Sequence, residues 1–395
     1  LWITRSALSE ARRILNVLGS YTDVVPSPDG GDGGERQARL SRHCQEGTRM
    51  SYVDQVLDDV RAQLAPADVV LKEARERRDL ARRAAKTFHG ALRTYRSGSL
   101  AHGTANCPVH HRDQGLDADC GVVLDRRVHS LLGPDGIGLG PNLMVNEVVD
   151  HIKPLVLMEY RRATFRITKR AILIEFHQPL ESGEDPTVDL IVAVNRKDAE
   201  GLWIPNTEQN SWNPSHPEKH TELFTSGDPE IRATRARSIR LAKAENKRSG
   251  EPTLCSFNVE TFGWMFTQSG MSVATALANL WRKGAADLRN RLTPDPAGIS
   301  APIKVANREA SIRRLEFAAS QLEGAQLKPN DEKWVCSRLA ALWPEFIAAD
   351  GTTSKARLAA AMRGGAYLGL ARGGVLTTSA TGSPSLKHPR SFGTR

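Results

Sequence analysis

The sequence predicts an α+β molecule of two lobes, a mixed sheet with helices followed by a C-terminal helical lobe. Two observations carry this expectation. Strand-sized apolar runs alternate with helical spacing between residues 92 and 194, and beyond about Pro217 the strand signals stop while helical periodicity continues to Leu322. The 395 residues, 40% of them hydrophobic, suffice for roughly two domains of about 150 residues with irregular ends.

Residues 1–49 are expected to be a disordered or non-native extension. Thr22–Gly34 is rich in Pro, Gly and Asp without apolar periodicity, and Met50, the expected native start, stands directly before a helical pattern. Residues 50–225 are expected to form an α/β core with N-terminal helices, 226–345 the helical lobe, and 346–395 a C-terminal segment with a mobile tail. Val53, Val56, Leu57, Val60 and Leu64, then Val69–Leu71, fall at helical spacing, with Pro66 breaking the run. A second helix follows over Ala74–Ala91, then a short strand at Leu92–Ser97 and a turn at Gly98-Ser99. Asp119–Leu124 and Thr187–Val194 are apolar and β-branched, as buried strands are. Between them lie a helix, Asn142–Tyr160, and a hairpin, Thr164–Thr168 with Ala171–His177. After Trp203-Ile204-Pro205 a polar loop is expected to about Pro217. Helices are then predicted over Pro229–Glu245, Ser256–Gln268, Met271–Leu292 and Ala301–Leu322, and from Ala371 the chain is rich in Gly, Ser, Thr and Pro.

No run of about 18 apolar residues occurs, so a soluble, cytoplasmic protein with no membrane partner is expected. The five cysteines, Cys44, Cys107, Cys120, Cys255 and Cys336, are odd in number and scattered, unlike a secreted disulfide framework. A net charge of +9 favours polyanionic partners: nucleoside triphosphates, oligonucleotides or nucleic acid.

The chemistry concentrates in Arg96-Ser97-Gly98-Ser99-Leu100 and Leu116-Asp117-Ala118-Asp119-Cys120. Residues two apart on a strand share a face, so Asp117 and Asp119 present two carboxylates side by side. Asp189 opens another apolar strand and supplies a third. Such oxygens suit Mg2+, or Mn2+ in its place, which keeps open positions for phosphate oxygens. The pattern matches two-metal nucleotidyl transfer, in which Asp189 could accept a proton from the attacking hydroxyl. Gly98 permits close backbone approach, and the Ser99 hydroxyl with neighbouring amides can hold phosphate oxygens.

These residues resemble those of the cGAS/DncV-like nucleotidyltransferases, the CD-NTases, which have a DNA polymerase β-like core and are related to 2′-5′ oligoadenylate synthase. The likeness runs from about Val53 to Leu322. Trp203-Ile204-Pro205-Asn206, Ser211-Trp212 and Ser215-His216-Pro217 resemble the family's loop after the third aspartate, and Arg237–Lys243 its spine helix. The resemblance implies that Lys243 reaches nucleotide phosphates and that Ser256 contacts the nucleotide, with Cys255 in place of the usual lysine. Asp295-Pro296 resembles the family's Asp-Pro motif. What the resemblance further implies is a bilobal enzyme making cyclic or linear di- or trinucleotide second messengers from ATP or other triphosphates. In bacteria such products activate a separate effector in antiphage signalling. The family's C-terminus is sometimes attached to targets by a ubiquitin-like conjugation partner through a terminal glycine; here the chain ends Phe392-Gly393-Thr394-Arg395. Two alternatives keep the fold: nucleotidyl transfer to tRNA, a protein or a small molecule, and a catalytically silent nucleotide-binding interaction protein.

Other groupings rank lower. Cys107, His110, His111 and Cys120 are of zinc-ligand type, although Cys120 would point into the core. His216 and His220 are expected on a loop bordering the cleft. The run Arg75, Arg77, Arg78, Arg82, Arg83 and Lys86 is expected as a solvated helix face with nucleic-acid binding as the functional alternative. Trp203 and Trp212 are candidates to stack on a base, and Trp264 and Trp281 are expected in the core.

Overall fold

The computed structural model describes residues 50–107, 115–134, 138–197, 199–248 and 252–347, together with the backbone of two short paired strands, Leu368–Leu370 and Leu376–Thr378. The expectations for residues 1–49, for His110 and His111, and for most of the C-terminal tail lie outside the described residues.

Helix α1 (Tyr52–Gln63) starts at Ser51, whose hydroxyl accepts from the amide of Asp54. Ala65 and Pro66 separate it from α2 (Asp68–Lys86), which begins earlier than its periodicity suggested, because Val69–Leu71 belong to it. The chain then forms β1 (Ala91–Arg96), the five-residue helix α3 (Gly98–His102) and β2 (Asp117–Leu124). Helix α4 (Asn142–Glu159) leads to a hairpin of β3 (Thr164–Ile167) and β4 (Ile172–Glu175), followed by β5 (Thr187–Asn195). The sheet order is β1-β2-β5-β4-β3, with β2 and β5 parallel and the other pairs antiparallel, so this is the expected mixed sheet.

The polar loop expected after Trp203 is instead a second hairpin, β6 (Leu202–Asn206) and β7 (Ser211–Ser215), that extends the sheet from β5. Helix α5 (Pro217–Phe224) follows at once, with Pro217 in its first turn and the His216 ring accepting from the amide of Lys219.

The helical lobe comprises α6 (Pro229–Lys247), α7 (Ser256–Phe266), α8 (Val273–Asn290), α9 (Arg308–Gln326) and α10 (Glu332–Leu339). Asp228, Ser272, Asn307 and Asp331 cap four of these by accepting an amide three residues on, which satisfies donors that the helix itself leaves open. Two large cores result. One lies between the sheet and helices α2 and α4, with Val122, Leu124, Ile152, Ile174 and Val192 fully buried. The other joins the helices of the lobe around Phe262, Trp281 and Trp343. Helix α1 precedes the sheet yet buries Val53, Val56, Leu57 and Val60 in this helical core.

The basic run on α2 is not one solvated face. Arg75, Arg83 and Lys86 are exposed, but Arg77 and Arg78 are buried. Arg77 stacks on Phe176, and its guanidinium donates to Glu73 at 2.7 Å and to the carbonyls of Pro186 at 2.7 Å and Gln178 at 2.6 Å, and pairs with Asp185. A planar cation with five donors can tie together an irregular segment in this way. Its effect is to fix the approach to β5, and so the position of Asp189.

Candidate active site

Strand register puts the three aspartates on one face of the sheet. Across the parallel β2–β5 ladder, Asp117 stands opposite Thr187 and Asp119 opposite Asp189. The intervening Ala118, Cys120, Val188 and Leu190 are fully buried on the core side, so alternation turns the aspartates to the opposite face. That face borders a cleft of about 1010 Å³ whose other walls come from α3, the β6–β7 hairpin, α5, α6, α7 and residues 300–304. Asp117, Asp119, Gly98, Ser99, Lys243 and Ser256 all line it.

Gly98 is held at φ +70°, and a Cβ there would run into the carboxylate of Asp119. Only glycine meets both demands, since it tolerates the left-handed region and leaves room for the acid. The expected Gly98-Ser99 turn is thus the first turn of α3, laid against Asp119, with the Ser99 carbonyl accepting from the Thr104 amide at 2.9 Å.

At Asp119 and Asp189, burial and like charge outweigh positive charge. Burial, then the neighbouring carboxylates of Asp189, Asp117 and Glu260, push Asp119 up to about 7. Burial and the Asp117 carboxylate raise Asp189 to about 6, against a weaker opposing pull from Arg166. Asp189 Oδ1 is buried with no hydrogen-bond partner, while Asp117 accepts from the Thr187 hydroxyl. Hard anionic oxygens, raised proton affinities and an orphaned acceptor fit a divalent cation such as Mg2+. Among the described residues no three His, Cys, Asp or Glu side chains are grouped about one point closely enough to hold an ion in this conformation.

Lys243 projects from α6 into the cleft wall and is already paired. Its ammonium donates to Glu260 on α7 at 2.6 Å and to the Thr104 hydroxyl at 3.1 Å. The Glu260 carboxylate also bonds His102 Nδ1 at 3.0 Å and accepts from the Thr104 hydroxyl. Although burial alone would raise it, the Lys243 ammonium and His102 hold the Glu260 carboxyl well below the usual carboxylate range. Ser256 is exposed at the first turn of α7, beside exposed Cys255.

Several expectations change. His220 lies on α5 rather than in a loop; its Nε2 is 2.6 Å from Asp295 Oδ1, and Asp295 also accepts from the amides of Ile299 and Ser300. Burial would raise Asp295, but these partners bring it down to about 2. Trp212 is buried, donating from its indole to the Leu139 carbonyl, and Trp203 lies under the Arg196 guanidinium; neither lines the cleft. Trp281 is buried as expected, whereas Trp264 is only partly so. Cys120 is buried in the core of the sheet, and Cys107 donates to the Gln63 carbonyl, so the two described members of the zinc grouping show no shared site.

No protein-family profile matches the chain. No curated protein matches it either. Solved structures do, among them two CD-NTases and a di-nucleotide cyclase. A Bradyrhizobium diazoefficiens CD-NTase, CdnG, in complex with GTP aligns with a TM-score of 0.56 at 14% identity, covering 78% of this chain and 98% of that one. E. coli MS115-1 CdnC with ATP aligns at 0.53 and 14% identity, over 74% of this chain and 98% of that one. A variant of the Vibrio cholerae di-nucleotide cyclase in complex with ATP and GTP aligns at 0.50 and 13% identity, over 90% and 93%. The chain therefore has the α+β fold of the cGAS/DncV-like nucleotidyltransferases. Among the described residues no helix is long and apolar enough to cross a membrane.

Proposed function

We propose that the protein is a metal-dependent nucleotidyltransferase that joins nucleoside triphosphates into cyclic or linear di- or trinucleotides. The observation that carries this reading is the in-register pairing of Asp119 with Asp189, with Asp117 beside them and the Gly98 backbone laid against Asp119.

Asp117, Asp119 and Asp189 are the residues that would hold Mg2+ or Mn2+. Bound there, the metal would supply charge neutralisation for the triphosphate and a lower pKa for the acceptor hydroxyl. The chain's own groups account for the rest. Ser99 and the amides at the start of α3 hold terminal phosphate oxygens, and Lys243 faces them from the other lobe. Asp189, already raised toward neutrality, takes the proton of the attacking ribose hydroxyl at a carboxylate oxygen. The hydroxyl oxygen bonds to the α-phosphorus as the bond to pyrophosphate breaks, and pyrophosphate leaves with the electron pair. The resemblance to CD-NTases supports a second-messenger product acting on a separate effector, in antiphage defence, with Ser256 touching the nucleotide.

The test is incubation of the purified protein with all four labelled triphosphates and Mg2+ or Mn2+, with separation of products before and after phosphatase and nuclease. A phosphatase-resistant product that disappears in the Asp117→Asn/Asp119→Asn variant is expected. Label transferred only to added tRNA, protein or a small molecule would move the reading to those acceptors. Bound nucleotide without turnover under either metal would leave a binding protein.

A further inference from the structure

We infer that Glu260 is the positioning residue of the cleft: it locks the phosphate-facing segment Gly98–Thr104 of one lobe to Lys243 of the other, and offsets that lysine's charge. The inference rests on reading the cleft as a polyphosphate site.

The geometry is specific. One buried carboxylate on α7 receives Lys243 from α6, His102 from α3 and Thr104 just beyond α3, with all four residues at most 7% exposed. His102 passes the connection on through Nε2 to the Thr221 hydroxyl at 3.1 Å. Segments of both lobes, α6 on one side and α3 with Thr104 on the other, thus meet one anion on α7, next to the turn of backbone that lies against Asp119. Buried groups of this kind fix position because each has few other partners and an unmet one is costly.

The choice of an anion is the informative part. A cleft for a polyphosphate gains affinity from a free lysine, yet Glu260 neutralises Lys243 and adds to the negative charge felt by Asp119. Position and charge therefore act in opposite directions on anion binding. The carboxylate orders the segment that holds phosphate and at the same time weakens the field that attracts it, so the two parts separate by mutation.

Glu260→Gln keeps an acceptor for Lys243 and Thr104 and offers an amide N–H to His102 Nδ1, so it removes charge with little change of shape. Thr104→Val keeps the carboxylate and removes one hydroxyl that bonds it. The measurement is calorimetric titration of inorganic tripolyphosphate with Mg2+, which is independent of base, alongside thermal midpoints and the kcat and KM of triphosphate turnover. The expected result is tighter tripolyphosphate binding by Glu260→Gln, about tenfold at low salt as befits one removed charge in a partly shielded site. Thr104→Val should bind more weakly, with KM raised and the midpoint lowered by a few degrees, because it leaves buried partners of its hydroxyl unmet. Variants that both bind as the parent does, or that both weaken in step with a falling midpoint, would overturn the inference and leave Glu260 a purely structural residue. A parent protein that binds neither tripolyphosphate nor any nucleoside triphosphate would instead overturn the reading of the cleft, and this inference with it.

Discussion

Asp119→Asn should stabilise the metal-free protein even as it removes the chemistry of the cleft. Asp119 is pushed from an ordinary 3.8 up to about 7 by burial and by three nearby carboxylates. Between those two values the native carboxyl keeps a proton that the unfolded chain has lost, so its contribution to stability falls as pH rises. Above pH 7 the loss is complete and amounts to roughly 4 kcal/mol, at about 1.4 kcal/mol for each pH unit. Asparagine has the shape of the protonated acid and does not ionise, so the variant escapes this cost. At about 2–4 °C for each kcal/mol, the variant should melt on the order of 10 °C above the parent at pH 8, and the gap should close toward pH 4. Scanning fluorimetry of both proteins from pH 4 to 8.5 with a chelator measures it, and the difference between the two reports the loss of the Asp119 charge together with its repulsion of neighbouring carboxylates. Adding Mg2+ at pH 8 should raise the parent's midpoint much more than the variant's, because the metal replaces the missing positive charge. A variant that melts at or below the parent at pH 8 would refute the claim that burial and neighbouring carboxylates disfavour the charged Asp119 in the metal-free protein.

Further outcomes follow from the same geometry. Gly98→Ala should lower turnover by about a hundredfold or more and lower the midpoint by several degrees, because the added methyl is strained at this left-handed position and must displace either α3 or the Asp119 carboxylate; steady-state kinetics beside a melting curve would reveal both effects. Arg77→Met should cost about 3–5 kcal/mol in denaturant unfolding, since it leaves Asp185, Glu73 and the buried Pro186 carbonyl without their donor. Trp212→Ala should destabilise by about 3–5 kcal/mol as a core deletion, and product analysis should find the choice of base among surviving molecules unchanged.

What the sequence disclosed, and what it hid, divides along physical lines. Asp117, Asp119 and Asp189 were legible because each heads an apolar strand, and strand alternation is a local property that the parallel register then brings together. The β6–β7 hairpin was missed because Pro205 and Pro214 argue against strands. Both are tolerated: β7 pairs only with β6, and Pro205 lies beyond the two residues of β6 that pair with β5. Helix α5 was hidden by His216, a residue seldom used to start a helix, although Pro217 in the next position is a start signal in its own right. Arg77 looked like its charged neighbours on α2 because its one partner nearby in sequence, Glu73, does not mark it as buried; the carbonyls that hold its guanidinium in the interior lie about a hundred residues away. Glu260 is the extreme case, since it meets His102 across 158 residues and no spacing rule reaches that far.

The most direct test of the central claim is a crystal of the protein grown with Mn2+ and a non-hydrolysable nucleoside triphosphate analogue, examined for anomalous scattering. The account predicts manganese bound between Asp117, Asp119 and Asp189 with the analogue's phosphates lying along Gly98 and Ser99. Manganese bound elsewhere, or an analogue seated away from the three aspartates, would contradict it.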